Sequence, residues 1–291
     1  MELLNALLRA VVSALLWPFR GLPPLVGLTV VSLLTAVGML LVFKATSNQG
    51  GIAAVKRQIH ACLFEIRLFN DDLRAILRAQ GELLRHNLRY LKFSIVPLLW
   101  MIVPLFLLIA QLQFQYGYEP LAPGRAAIVE MALVEGWEEA LPQEAVEVID
   151  GFPRPAAELV APEGLRVETP GVWAPDVREM SWRVSGERPG DHEVALELGG
   201  ERITKRLRVG AGEGVAAAGL LSPIRPPRSA LLQLVYPAEP PLPRGPVESI
   251  RVSYPGAEVW FFGWRTHWMV VFFILSIAFA FALRNRLGVS I

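Results

Sequence analysis

Few side chains in this chain are placed to do chemistry. The single cysteine, Cys62, excludes an internal disulfide and a thiolate metal cluster. It falls at a packing position of a heptad-like pattern and reads as a small apolar residue. The four histidines, His60, His86, His192 and His267, are scattered, and no HExxH, GxxxxGK[ST] or GxSxG occurs. His267 is the one titratable side chain inside a predicted span. It reads first as an interfacial anchor and otherwise as a proton relay. An intramembrane catalytic pair needs acids or metal ligands, which the apolar runs lack, so the reading is of a non-enzyme with no catalytic residue, metal or cofactor. What remains is a weakly polar stripe, Thr29, Ser32 and Thr35, in an uncharged run, and a basic arm.

These features need elements to carry them. The chain has 291 residues, 53% of them hydrophobic, and its mean hydropathy is +0.40. The apolar excess is gathered in segments, which points to membrane spans and away from an oversized core. The net charge of +1 conceals an asymmetry: residues 44–92 hold nine basic against four acidic side chains, and residues 116–264 hold 14 against 22. Such a division suggests two compartments.

Residues 1–20 place Leu4, Leu8, Val11, Val12, Leu15 and Leu16 on one face, as in an amphipathic helix lying in the membrane interface. A signal peptide or an additional short span is the alternative. Residues 21–43 are uncharged and long enough for a first transmembrane helix, with Thr29, Ser32 and Thr35 serving either helix packing or a polar groove.

Residues 44–92 form the arm. Ile52, Val55, Ile59, Cys62, Ile66, Phe69, Leu73, Ile76 and Leu83 alternate three and four apart, with Gln80 filling the one polar slot, the seam of helices packing on helices. Both ends of the arm must meet the same membrane face, so a coiled-coil hairpin is predicted. Its turn is expected near Asn70, which caps the second helix, with Gly81 as the weaker candidate. The basic face comprises Lys56, Arg57, Arg67, Arg74, Arg78, Arg85, Arg89 and Lys92. It reads as solvated, with anionic lipid or ribosomal RNA as alternative partners. Residues 93–118 form a second transmembrane helix, which Pro97 and Pro104 should kink and from which Gln111, Gln113 and Gln115 mark the exit.

Residues 119–264 change character. Runs at 127–134, 145–149, 180–184, 193–198, 201–209 and 250–254 read as strands, and Gly199-Gly200 as a two-residue hairpin turn. An extracytoplasmic all-β domain follows, an immunoglobulin-like sandwich, with proline-dense residues 222–246 extended as a return segment. Residues 265–284 form a third transmembrane helix and 285–291 a cytoplasmic tail. Trp17, Tyr116, Tyr118, Trp260, Trp264 and Trp268 are the expected membrane-interface anchors.

The fold class is thus an α-helical integral membrane protein with three transmembrane helices, a cytoplasmic helical hairpin and an outer β domain. The positive-inside rule places the arm and C-terminus in the cytoplasm and the β domain outside, as in a bacterial cytoplasmic (inner) membrane protein. The order of elements (outer N-terminal helix, span, basic arm, span, outer segment, span) resembles the YidC-type membrane-protein insertases. It is nearest to their three-span relatives in archaea and in the endoplasmic-reticulum membrane protein complex. The resemblance covers residues 1–118 and the last span. It implies a membrane chaperone or assembly factor whose clients are nascent or unassembled membrane proteins, with Thr29, Ser32, Thr35 and Gln111 wetting a client groove. No basic residue stands in 21–43, and the β domain has no counterpart in the minimal relatives. The alternative is a membrane-anchored envelope scaffold or sensor whose outer domain binds another membrane or envelope protein.

Overall fold

The structure is a computed structural model. It describes residues 7, 10, 11, 14, 17–19, 22–69, 71–149, 151–210, 220–227, 229, 232, 235–236 and 238–289. Most of the expected interfacial helix and Asn70, the expected cap, lie outside these residues. The chain divides into two compact units, residues 28–106 with 269–291, and residues 1–27 with 107–268.

The helical unit is built on α1 (Pro24–Thr46), α2 (Gln49–Leu68) and α3 (Leu73–Tyr116). Pro24 opens α1, where a missing N–H costs nothing. Asn48 caps α2 through the Gly51 N–H at 2.9 Å. The arm breaks between Leu68 and Leu73, where Asp72 accepts the Arg74 N–H at 2.8 Å and caps α3. The Lys56 ammonium then stands 5.7 Å from the centre of the Tyr90 ring, so α3 folds back along α2. Ile52, Val55, Cys62 and Ala79 are buried in this unit. The Cys62 thiol is pushed above its usual value by burial and then by Glu82 and Glu65, which disfavours the reactive thiolate.

The expected arm and second span meet within one helix. α3 runs unbroken for 44 residues, through Pro97 and Pro104, from the arm into the apolar run. Composition changes there, but the backbone ladder does not depend on side-chain polarity. α1 and α3 are long and apolar enough to cross a membrane. α5 (Trp268–Leu283) is apolar but has 16 residues, about 24 Å of rise against a hydrocarbon core of ~30 Å. Helical bonding persists beyond it, from the Arg284 N–H to the Ala280 carbonyl and from Leu287 to Leu283, both at 3.0 Å.

Spin labels at Gln58 and Arg85 are expected to lie within about 25 Å, two packed helices plus label length. A continuous helix between them would give roughly 40 Å. That longer distance would disprove the folded-back arm.

The second unit holds the β domain. Its strands are β1 (Ala126–Leu133), β2 (Val146–Ile149), β3 (Phe152–Pro155), β4 (Ala157–Val160), β5 (Leu165–Val167), β6 (Val172–Ala174), β7 (Glu179–Gly186), β8 (Gly190–Leu198), β9 (Glu201–Val209), β10 (Ile224–Arg225), β11 (Val247–Val252), β12 (Val259–Phe261) and β13 (Trp264–Thr266). One antiparallel sheet runs β10-β11-β1-β7-β5, with β6 also on β7. A second runs β4-β8-β9, and β2-β3 and β12-β13 are separate hairpins. Val129, Met131, Trp182 and Ile250 of the first sheet share one core with Val194, Leu196, Ile203 and Leu207 of the second, which makes a two-sheet sandwich. The one-turn helix α4 (Trp137–Ala140) adds Trp137 to that core.

Gly199 and Gly200 take φ of 58° and 81°, a turn that only glycine makes without strain. This turn fixes the β8–β9 register from Leu198 opposite Glu201 to Gly190 opposite Val209. The return segment is not simply extended. The Leu242 N–H bonds the Pro226 carbonyl at 2.9 Å, folding the segment onto itself beside β9.

Candidate functional site

Of the stripe in α1, Ser32 packs against another helix. Ser32 is fully buried and its hydroxyl donates to the Phe272 carbonyl of α5 at 3.4 Å. The Thr35 hydroxyl donates to the Val31 carbonyl at 2.7 Å, one turn back in its own helix. Thr29 is half-buried. Farther along, the Lys44 ammonium donates to the Leu287 carbonyl at 2.8 Å, so α1 and α5 run in the same direction. Gln111 is buried.

The arm's basic side chains are exposed, except Lys56, which is half-buried against Tyr90. Arg74, Arg78, Arg85, Arg89 and Lys92 fall on one stripe of α3 by their 4-7-4-3 spacing. Arg78 pairs with Glu82 at 3.4 Å, an exposed contact of small worth.

The expected anchors divide. Trp17, Trp260 and Trp264 are exposed. Trp268 is fully buried and its indole N–H donates to Gln113 Oε1 at 3.0 Å, while Tyr116 is buried and Tyr118 half-buried. Gln113 is a hydrogen-bond partner and not merely a marker of the helix exit.

The most developed polar site lies in the β domain, and the sequence reading did not select it. Strand β9 alternates, with Ile203, Lys205, Leu207 and Val209 buried on one face. That register was the available signal, since a lysine in phase with three apolar residues must enter the core. Lys205 is 1% exposed. Its ammonium donates to the Ser222 carbonyl at 2.5 Å, Ser222 Oγ at 3.0 Å, the Arg206 carbonyl at 3.2 Å and the Glu239 carboxylate. Glu239, also buried, accepts in addition the Ser222 hydroxyl and the Arg206 N–H, the latter at 2.6 Å.

Desolvation pushes Lys205 down to about 8, with the Glu239 carboxylate opposing it. Burial likewise pushes the neighbouring Tyr254 phenol up. A cavity of about 200 Å³ adjoins the cluster, lined in part by Arg206, Arg208, Leu221, Ser222, Ala238 and Tyr254. A serine beside a lysine is a combination used for acyl transfer. Here the serine proton goes to Glu239, and the hydroxyl is buried among groups that already hold partners. The arrangement is a closed clamp between β9 and the return segment, which presents no free nucleophile.

No family model matches the chain, and no curated protein sequence matches it. Among solved structures it is similar to domains 4 and 5 of the S-layer protein SbsC, at 13% identity and a TM-score of 0.23. That match covers 33% of this chain and 48% of the other, so the chain spans about half the length of that structure. A similarity this low carries no argument about fold or activity.

Proposed function

We propose that this protein is a membrane-anchored envelope scaffold. Its three apolar helices hold it in a cytoplasmic membrane, and its outer β domain, an immunoglobulin-like sandwich in architecture, binds another membrane or envelope protein. The observation that carries this reading is in the α1 stripe: Ser32 is fully buried against the Phe272 backbone, as helix–helix packing requires, and Thr35 satisfies its hydroxyl within its own helix. The membrane anchorage is supported by α3, where Val96, Leu98, Leu99, Trp100, Ile102, Val103 and Phe106 stand exposed, a surface suited to lipid. The charge asymmetry supports an arm inside and a β domain outside.

The insertase-like reading keeps one supporting observation, the folded-back basic arm. Photo-crosslinkers separate the two readings. The scaffold predicts protein crosslinks from exposed Val148 and Phe152 of the β domain, and none to nascent membrane segments from Thr29 or Thr35. Crosslinks to nascent segments at the stripe would overturn it. Topology is tested in a Cys62→Ser background by placing cysteines at exposed Gln58 and Glu187. A membrane-impermeant reagent is expected to label them from opposite sides, and labelling from one side would refute the topology.

A further inference from the structure

Strand β9 is an edge of its sheet, and an antiparallel edge carries a row of backbone groups that would ordinarily seek another strand. Here side chains and one loop fill that row. The Thr204 carbonyl accepts the Arg225 guanidinium. The Arg206 N–H goes to Glu239 at 2.6 Å and the Arg206 carbonyl to Lys205 at 3.2 Å. The Arg208 N–H goes to the Tyr254 hydroxyl at 2.8 Å, and its carbonyl accepts the Leu121 N–H at 3.1 Å. Among the described residues no strand lies against this edge from Thr204 to Arg208, and the cavity of about 200 Å³ runs beside it.

From this we propose that β9 is a masked strand-addition site. The Lys205–Ser222–Glu239 clamp is its latch, and its partner is an extended acidic segment of another protein. The proposal rests on the scaffold reading and names how the partner is held. Charge selects the partner. The solvent face of β9 carries Arg202, Arg206 and Arg208 at every second or fourth position. Arg208 is paired with Asp191, but Arg202 and Arg206 are exposed and, among the described residues, make no ion pair. A strand laid on this edge sets its outward side chains beside these arginines and its inward ones beside Ile203 and Leu207. Alternating acidic and apolar residues satisfy both faces. The latch favours opening over permanent burial because it is ionic: the edge caps are polar side chains that water can replace, whereas a paired backbone ladder would have to be broken along its length.

The test uses the full chain in phosphatidylcholine nanodiscs, with a fluorescent alternating Val/Glu octapeptide as probe and a Val/Lys octapeptide as control. Glu239→Ala opens the latch, and Tyr254→Phe removes a single cap. The Val/Glu peptide is expected to bind the Glu239→Ala protein roughly tenfold or more tightly than the wild type. Amide exchange should accelerate at residues 204–208 by more than in β1 and β7, whose protection falls only by the loss of global stability that urea unfolding measures. Equal affinity for wild type and variant overturns the proposal, as does equal binding of the two peptides or a uniform acceleration across both sheets with none in excess at residues 204–208. Should Glu239→Ala fail to fold, Tyr254→Phe decides: a gain of about twofold to fivefold for the Val/Glu peptide supports the site, and no gain overturns it. Protein crosslinks from Val148 or Phe152 without peptide binding would refute the latch and leave the scaffold reading standing.

Discussion

Glu239→Ala is expected to lower the unfolding free energy of the β domain by about 3–5 kcal/mol, because it leaves the Lys205 ammonium buried with no counter-charge. Lys205 is 1% exposed and Glu239 5%, so water reaches neither. Replacing both, as Lys205→Met with Glu239→Leu, should cost about 1 kcal/mol or less, or even stabilise, since the desolvation of both ions is removed along with their attraction. Urea unfolding followed by tryptophan fluorescence measures both. Trp137 and Trp182 report from the same core. A loss below about 1 kcal/mol for the single variant would mean that the pair is solvated.

The pH dependence has a definite sign. Burial lowers Lys205 from 10.5 to about 8. Between those values the unfolded chain binds a proton that the folded one has released, so stability rises with pH across this window. The slope from this group is at most about 1.4 kcal/mol per pH unit, and it is absent below about 8, where both states are protonated. Lys205→Met should lack this slope between pH 8 and 10. An identical slope in wild type and variant would assign the titration to another group.

Trp137→Ala is expected to cost about 3–5 kcal/mol, the range for truncating a buried large aromatic. Trp137 is 1% exposed and meets Trp173 edge to face, with ring centres 5.4 Å apart at 72°. The Trp173 indole N–H in turn donates to the Pro153 carbonyl at 3.0 Å, which ties β6 to β3. Trp173→Ala should cost less, because its ring is only half-buried. The double variant should cost less than the sum of the two by about 0.5–1.5 kcal/mol, the coupling expected of an aromatic pair. Strict additivity would show that the two rings do not stabilise one another. Since a domain's whole stability is about 5–15 kcal/mol, Trp137→Ala should also lower the yield of folded protein.

The regular parts of the fold were legible because their signals are local. β9 begins and ends where its alternation does, at Glu201 and Val209, and Gly199-Gly200 makes the turn that its composition predicts. β1, β7 and β8 coincide with their apolar runs within a few residues. The helical character of the arm and its break near residue 70 follow from the heptad seam and the acidic pair that begins at Asp71, with Asp72 acting as the cap. The short strands β3 to β6 escaped notice. Runs of three or four residues such as Leu165–Val167 contain too few side chains to display a period, and they are strands because a partner is there to pair with them: β2 for β3, β8 for β4, and β7 for β5 and β6.

The sequence by itself determined where apolar segments lie, which strands are long, and that acidic and basic halves are separated, since each of these depends on residues near one another in the chain. The tertiary structure alone decided what the polar exceptions do. The Ser32 hydroxyl donates to a carbonyl 240 positions away. The Trp268 indole N–H donates to Gln113, 155 positions away. Lys205 meets Glu239 only when the return segment folds back across β9. A buried polar group must find its partner wherever the fold brings one, and that partner's position in the chain is not written in the group's own neighbourhood.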